Sequence, residues 1–122
     1  MWLTHGQVWI DWLAEEIPDW VRSLKYRSAV TVHTKSLLRV TPKNYRAITK
    51  TYGVLTHGAH HDWYCLDWGR VAQAGYSGID CLSIPDFAAI PLTHGWLHQM
   101  DVPCVAVWDP RAIVSTHTES IR

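Results

Sequence analysis

Proline and glycine cut this sequence into short pieces, and that punctuation limits the possible folds more than any other feature. Pro18, Pro42, Pro85, Pro91 and Pro110 each interrupt a promising segment, and Gly53 and Gly75 close two others. No apolar stretch approaches the roughly 20 residues that span a bilayer, so a membrane is not an expected partner. A coiled-coil fibre is excluded because those prolines leave no long unbroken helix. The 122 residues suffice for one domain, and the 48% of hydrophobic residues can build its core.

Between the breaks, local signals predict short helices and strands. Trp9, Trp12 and Leu13 recur at helical spacing within residues 7–16, with Asp11, Glu15 and Glu16 largely opposite. Pro18 ends that helix but can begin a second, through Trp20, Val21 and Leu24. Ser28 to His33 is rich in β-branched residues and reads as a strand, and Leu37 to Val40 as a short extended run. Thr41-Pro42 predicts a helix start, with Tyr45, Ile48 and Tyr52 as its apolar stripe and Gly53 as its stop. Asp67 caps a short helix that Gly75 ends. Ile79 to Ile84 and Val102 to Trp108 read as strands, and Trp96 to Met100 as a helical turn. The expected class is α+β: a small, twisted, mainly antiparallel sheet of three to five strands with two or three short helices, helical at its start.

The chain is neutral overall, with eleven Lys and Arg against eleven Asp and Glu, yet its charges are segregated. Between Asp19 and Asp62 there is no acid, and eight Lys and Arg stand in that stretch. From Asp62 onward seven acids face only Arg70, Arg111 and Arg122. Such halves either neutralise each other, within one chain or across a dimer, or make a polyanion site. The basic stretch also holds Tyr26, Tyr45 and Tyr52, which suit base stacking. With a neutral total and no nucleic-acid-binding motif, a nucleic acid is the less favoured partner. Three widely spaced cysteines, Cys65, Cys81 and Cys104, do not form a disulfide framework, and a reducing cytoplasm is the expected compartment. The first residues carry no early Lys or Arg, so no secretory leader is expected.

Two residue types are in excess: eight Trp and eight His stand against a single Phe. His57, His60, His61 and Cys65 lie close together, and His94 and His98 are spaced for one helical face. Imidazole and thiolate ligate zinc, but no spacing here follows a zinc pattern, so zinc is not the expected cofactor and a His-rich metal-binding protein is the least favoured alternative. Cys65, beside His60, His61 and Asp62, is the one cysteine placed as a nucleophile would be. Trp2, Trp9, Trp12 and Trp20 crowd the first twenty residues. Tryptophan dominates binding hot spots, so an exposed cluster there would be a protein-binding surface. Leu-Thr-His-Gly occurs three times, at Leu3–Gly6, Leu55–Gly58 and Leu92–Gly95, which reads as turn chemistry rather than a repeat unit.

Three segments in order resemble the small ADP-ribosyltransferase-like domains, and together they span residues 28–113. Val71 to Ile79 (Val-Ala-Gln-Ala-Gly-Tyr-Ser-Gly-Ile) is similar to that family's Ala-Gly-Tyr-Asp-Gly-Ile strand entry. Val105 to Ile113 (Val-Ala-Val-Trp-Asp-Pro-Arg-Ala-Ile) resembles its closing strand, and Val30 to Thr34 its first. The resemblance implies binding of NAD or a related nucleotide, with His33 and Thr34 at the ribose or phosphate. Tyr45 and Tyr52 would stack on a ring. The family's catalytic Glu position is occupied here by Cys104, and Asp101 is the nearest acid able to serve as the catalytic carboxylate. The sequence is also similar to short phage and prophage proteins that combine Asp-Trp-x-x-Val with a late Trp-Asp, here Asp67–Val71 and Trp108-Asp109. That likeness implies a non-enzymatic inhibitor that binds a host protein through its Trp-rich N-terminal surface.

Overall fold

A computed structural model describes residues 1–121. Its architecture is α+β, with helices and strands mixed along the chain. Strand β1 (Trp2–Leu3) leads into helices α1 (Val8–Glu16) and α2 (Pro18–Ser23), and then strand β2 (Tyr26–Val32). Strand β3 (Leu37–Arg39), helix α3 (Tyr45–Tyr52) and strands β4 (Gly53–His57) and β5 (Asp62–Leu66) follow. Helix α4 (Trp68–Gln73) and strands β6 (Gly78–Asp80), β7 (Val105–Val107) and β8 (Ile113–Ser120) complete the order.

The central sheet has the strand order β1-β7-β6-β3. Its β1–β7 and β6–β7 pairs are antiparallel, and its β3–β6 pair is parallel. Alternation along these strands fills two cores, as the twofold side-chain period requires. Leu38, Ile79, Ala106 and Cys104 face the larger one, where Val40, Ile48, Val71, Trp96 and Leu97 also pack. Leu37, Val105 and Val107 face the smaller one, closed by Ala112 with Val32 and Ile113.

Strands β2 and β8 form a separate antiparallel ribbon, from Tyr26 opposite Ser120 to Val32 opposite Ile113. Only its base reaches the smaller core; beyond Val30 both strands are exposed. The Arg27–Glu119 ion pair and the Ser28 and Thr118 hydroxyls, 2.7 Å apart, tie its outer part. Arg27–Glu119 is also the one ion pair that joins the basic stretch to the acidic half among the described residues.

Several boundaries differ from the sequence-based expectation. Helix α3 starts at Tyr45, not at Thr41-Pro42. The Asn44 side chain accepts from the Thr41 amide at 2.7 Å and donates to the Arg39 carbonyl at 2.8 Å, holding residues 41–44 in a turn. Strand β6 stops at Asp80 rather than Ile84, because the Asp80 carboxylate accepts from the Leu82 amide at 2.9 Å and turns the chain. Pro103 has no amide to donate, and β7 begins only at Val105. The His-rich segment, to which the sequence assigns no strand, is the β4–β5 hairpin, paired from Gly53 opposite Leu66 to His57 opposite Asp62. Asp67 caps α4 as expected, accepting from the Arg70 amide at 3.1 Å.

Candidate functional site

Four tryptophans, distant in sequence, converge on one side of the central sheet. Trp2 stands on edge strand β1 opposite Ala106. Trp68 is the first residue of α4, placed by the Asp67 cap and by the Asp67 amide, which donates to the Tyr52 carbonyl at 2.8 Å. Trp108 follows β7. Its backbone amide donates to the Ser77 carbonyl at 3.0 Å and its indole Nε1 to the Tyr76 carbonyl at 2.8 Å. The Trp68 ring meets Trp108 at 5.9 Å and Trp96 at 6.5 Å, both edge to face. This is the favourable arrangement for aromatic quadrupoles. Trp96 is only 1% exposed and forms a floor, whereas Trp2 is 67%, Trp68 38% and Trp108 37% exposed.

These rings line a cleft of about 400 Å³, completed by Gln99 and Met100. A second cleft of about 410 Å³ adjoins it and shares Trp2, Gln99 and Met100. Trp9, Asp101, Val102 and Cys104 line its far side. Through these shared residues the two make one groove, whose lining holds Trp2, Trp9, Trp68, Trp96 and Trp108, a single carboxylate at Asp101, and no Lys, Arg or His. Trp9 is held there by Trp12, stacked on it at 5.0 Å with the rings 11° from parallel.

The residues singled out from the sequence fall at three places. Asp101 is exposed and lines the groove, beside Cys104. His33 and Thr34 are exposed at the base of the ribbon, where the His33 amide donates to the Ala112 carbonyl at 2.7 Å. Tyr45 and Tyr52 belong to α3. Tyr45 is buried, its ring edge-on to His94 at 5.0 Å and beneath the Arg46 guanidinium. Tyr52 is half-buried, with Arg70 over its ring at 5.8 Å. The groove lining contains Asp101 and none of these other four. Of the N-terminal tryptophans, Trp2 and Trp9 enter it, and Trp20 is exposed on α2. Trp68, Trp96 and Trp108 are groove residues that the sequence reading did not single out; they lie on α4, in the turn after His94 and just after β7, and meet only in the folded chain.

The histidines are engaged separately. His57 Nδ1 lies 3.0 Å from the Asp62 carboxylate at the mouth of the β4–β5 hairpin, and His60 and His61 are exposed at its tip. His94 Nδ1 lies 2.9 Å from Thr49 Oγ1, and His98 Nε2 donates to the Ile90 carbonyl at 2.7 Å. Burial, then Arg46 and His98, holds the His94 pKa below the usual histidine value. No group of three or more His, Cys, Asp or Glu is arranged to hold a metal among the described residues. Cys65 is half-buried, its sulfur accepting from the Trp63 indole at 3.3 Å. Burial, with Asp101 nearby, pushes the Cys104 thiol up to about 11. It is therefore a protonated thiol at neutral pH, and thiolate is the nucleophilic form.

Two of the three Leu-Thr-His-Gly segments share a partner. Gly58 and Gly95 both lie so close to the Trp63 ring that a Cβ on either would overlap it. The Tyr64 amide donates to the Thr93 carbonyl at 2.7 Å, and the Trp96 amide to the Tyr64 carbonyl at 3.0 Å. The third copy thus docks on β5 and carries Trp96 to the groove floor.

No helix among the described residues is long and apolar enough to cross a membrane. Compared with family models, with curated proteins and with solved structures, the chain matches none.

Proposed function

We propose that the chain is a non-enzymatic binding module whose tryptophan-lined groove holds a cationic segment of a partner protein. One observation carries this reading: four partly exposed indoles (Trp2, Trp9, Trp68 and Trp108) and one carboxylate line a groove that contains no basic group. A Lys or Arg cation over an indole face gains about 0.5–2 kcal/mol, more as water is excluded, and its aliphatic stem packs on the same ring. Asp101 supplies the opposite charge in the lining. Trp-rich patches of this kind concentrate binding energy in a few anchors. A host protein bound by a small phage-type inhibitor is a partner of this class.

The test is a tryptophan-fluorescence titration with short Arg- and Lys-containing peptides and with matched Glu-containing ones. Saturable binding of the basic peptides alone, lost in Trp68→Ala, is the expected result. Equal response to both sets, or to neither, removes the proposal.

A second reading keeps the nucleotide. Asp101 and Cys104, the two positions that the ADP-ribosyltransferase likeness singles out at the closing strand, line the same cleft as Trp2 and Trp9. An indole can stack on a base, worth about 1–3 kcal/mol, while Asp101 accepts from ribose hydroxyls. The same titration with NAD tests it: no quenching at millimolar NAD ends this reading.

A further inference from the structure

Three sulfur-bearing side chains, Cys81, Cys104 and Met100, share the core behind the groove. Cys81 directly follows β6, and Cys104 directly precedes β7. The register sets Asp80 opposite Val105, so Cys81 stands opposite Cys104 one step further on. The Cys81 amide donates to the Cys104 carbonyl at 2.9 Å. Opposed residues of an antiparallel pair send their side chains to the same side. Cys81, Cys104 and Met100 accordingly share one buried cluster, and Met100 Sδ lies 3.7 Å from Cys104 Sγ. Met100 and Cys104 also line the outer cleft, which gives the cluster a path to solvent.

Cys81 and Cys104 are both free thiols. Across β1–β7 the Val107 amide donates to Met1, so Ala106 and Cys104 turn their backbone groups toward β6. The Cys81 amide bond to the Cys104 carbonyl continues this ladder by one position of the wider, hydrogen-bonded type, for which Cα atoms lie about 5.5 Å apart. Opposed Cβ atoms then sit about 4.5–5.5 Å apart, whereas a disulfide prefers about 3.8 Å. A bridging ion needs the wider spacing. Metal–thiolate bonds of about 2.3 Å place neighbouring sulfurs roughly 3.7–4.0 Å apart in tetrahedral or trigonal sites. The Met100–Cys104 separation of 3.7 Å falls in that range. Two thiolates and a thioether, without nitrogen or oxygen, are a soft set that selects copper(I).

We infer that Cys81, Cys104 and Met100 form a three-sulfur site for copper(I). Binding makes two copper–thiolate bonds and one copper–thioether bond. The two thiol protons pass to the solvent, and no electron moves, because the metal arrives as copper(I). The site stands on these three sulfurs and is independent of what the groove binds.

The experiment titrates the reduced full chain, without oxygen, against the copper(I)–bicinchoninate complex and follows the loss of its visible absorbance. One copper per chain is expected for the wild type and for Cys65→Ser. Cys104→Ala, checked for folding by circular dichroism, loses that uptake. Met100→Leu keeps the core volume, and its affinity falls by at least the about tenfold that losing even an outer partner costs. Absence of uptake by the wild type, uptake retained by Cys104→Ala, or uptake lost in Cys65→Ser overturns the site. An unchanged affinity in Met100→Leu overturns the three-sulfur assignment.

Discussion

Trp96 donates its indole N–H to the Thr49 hydroxyl at 2.8 Å, inside the core. The same oxygen lies 2.9 Å from the Tyr45 carbonyl and 2.9 Å from His94 Nδ1. The hydroxyl gives its one proton to the Tyr45 carbonyl, and its two lone pairs can accept from the Trp96 indole and from a His94 tautomer protonated at Nδ1. This junction ties α3 to the turn that carries the groove floor. Thr49→Val leaves a buried indole N–H without an acceptor and should cost about 1–3 kcal/mol, with Thr49→Ser milder. Urea unfolding checks this; a Val variant as stable as the wild type would show that the junction contributes nothing.

His94 gives the fold a distinct pH dependence. Its folded pKa lies below the ordinary value of 6.5, because of burial first and then Arg46 and His98. As pH falls through 6.5, the unfolded chain takes up a proton that the folded chain resists, so stability declines. Above that value both states are neutral at this position and the effect vanishes. Tm should therefore drop between about pH 6.5 and pH 5 in the wild type and less in His94→Gln. Parallel Tm curves for the two proteins would contradict it.

Trp68 and Trp108 should separate binding from stability. No hydrogen bond from the Trp68 indole occurs among the described residues, whereas Trp108 Nε1 holds the Tyr76 carbonyl. Trp68→Ala is expected to cut affinity for a basic peptide by about tenfold or more, with a small loss of Tm. Trp108→Ala should lower both, since it also frees a backbone acceptor. Calorimetric titration and thermal melts of both variants distinguish the two cases.

A Cβ at Gly95 would lie 2.6 Å from Trp63 Cδ1. Gly95→Ala must push that ring or the turn aside, at about 1–3 kcal/mol. Trp63→Leu in the same chain should recover part of the loss, because the two changes share one contact. Additive effects in this double-mutant cycle would place the cost elsewhere.

The ribbon should open before the sheet. Its strands are long, yet both lie exposed beyond Val30. Two strands alone are marginal in water, and local opening follows the lack of buried contacts. Amides of Arg27 to Ala29 and of His117 to Glu119 are expected to exchange much faster than those of Ile79 and Ala106. Equal protection would mean that something covers the ribbon.

The elements legible in the sequence are those whose signals are local. Pro18 at the head of α2, Asp67 capping α4 and the β-branched run in β2 all act within a few residues. Strand β8 escaped because Ser115 to Ser120 is polar at every position; with both faces in water it needs no alternation. Strand β5 escaped because its Trp63, Tyr64 and Cys65 adjoin His57, His60 and His61, and the cluster was weighed as metal ligands rather than as a strand. Of the groove, Trp2 and Trp9 were readable as exposed aromatics near the start. Trp68, Trp96 and Trp108 were not, since pairings across the whole chain bring them together.

Those pairings also set a timetable for synthesis. Strand β1 has its partner at Val105–Ala106, and β2 has its partner at Ile113–Ser120. The first 32 residues, with Trp2, Trp9, Trp12 and Trp20, thus leave the ribosome long before their strand partners are made. Contacts of such sequence separation form late and slowly. Until then the nascent chain displays its tryptophans as a sticky segment, one that a chaperone would be well placed to shield.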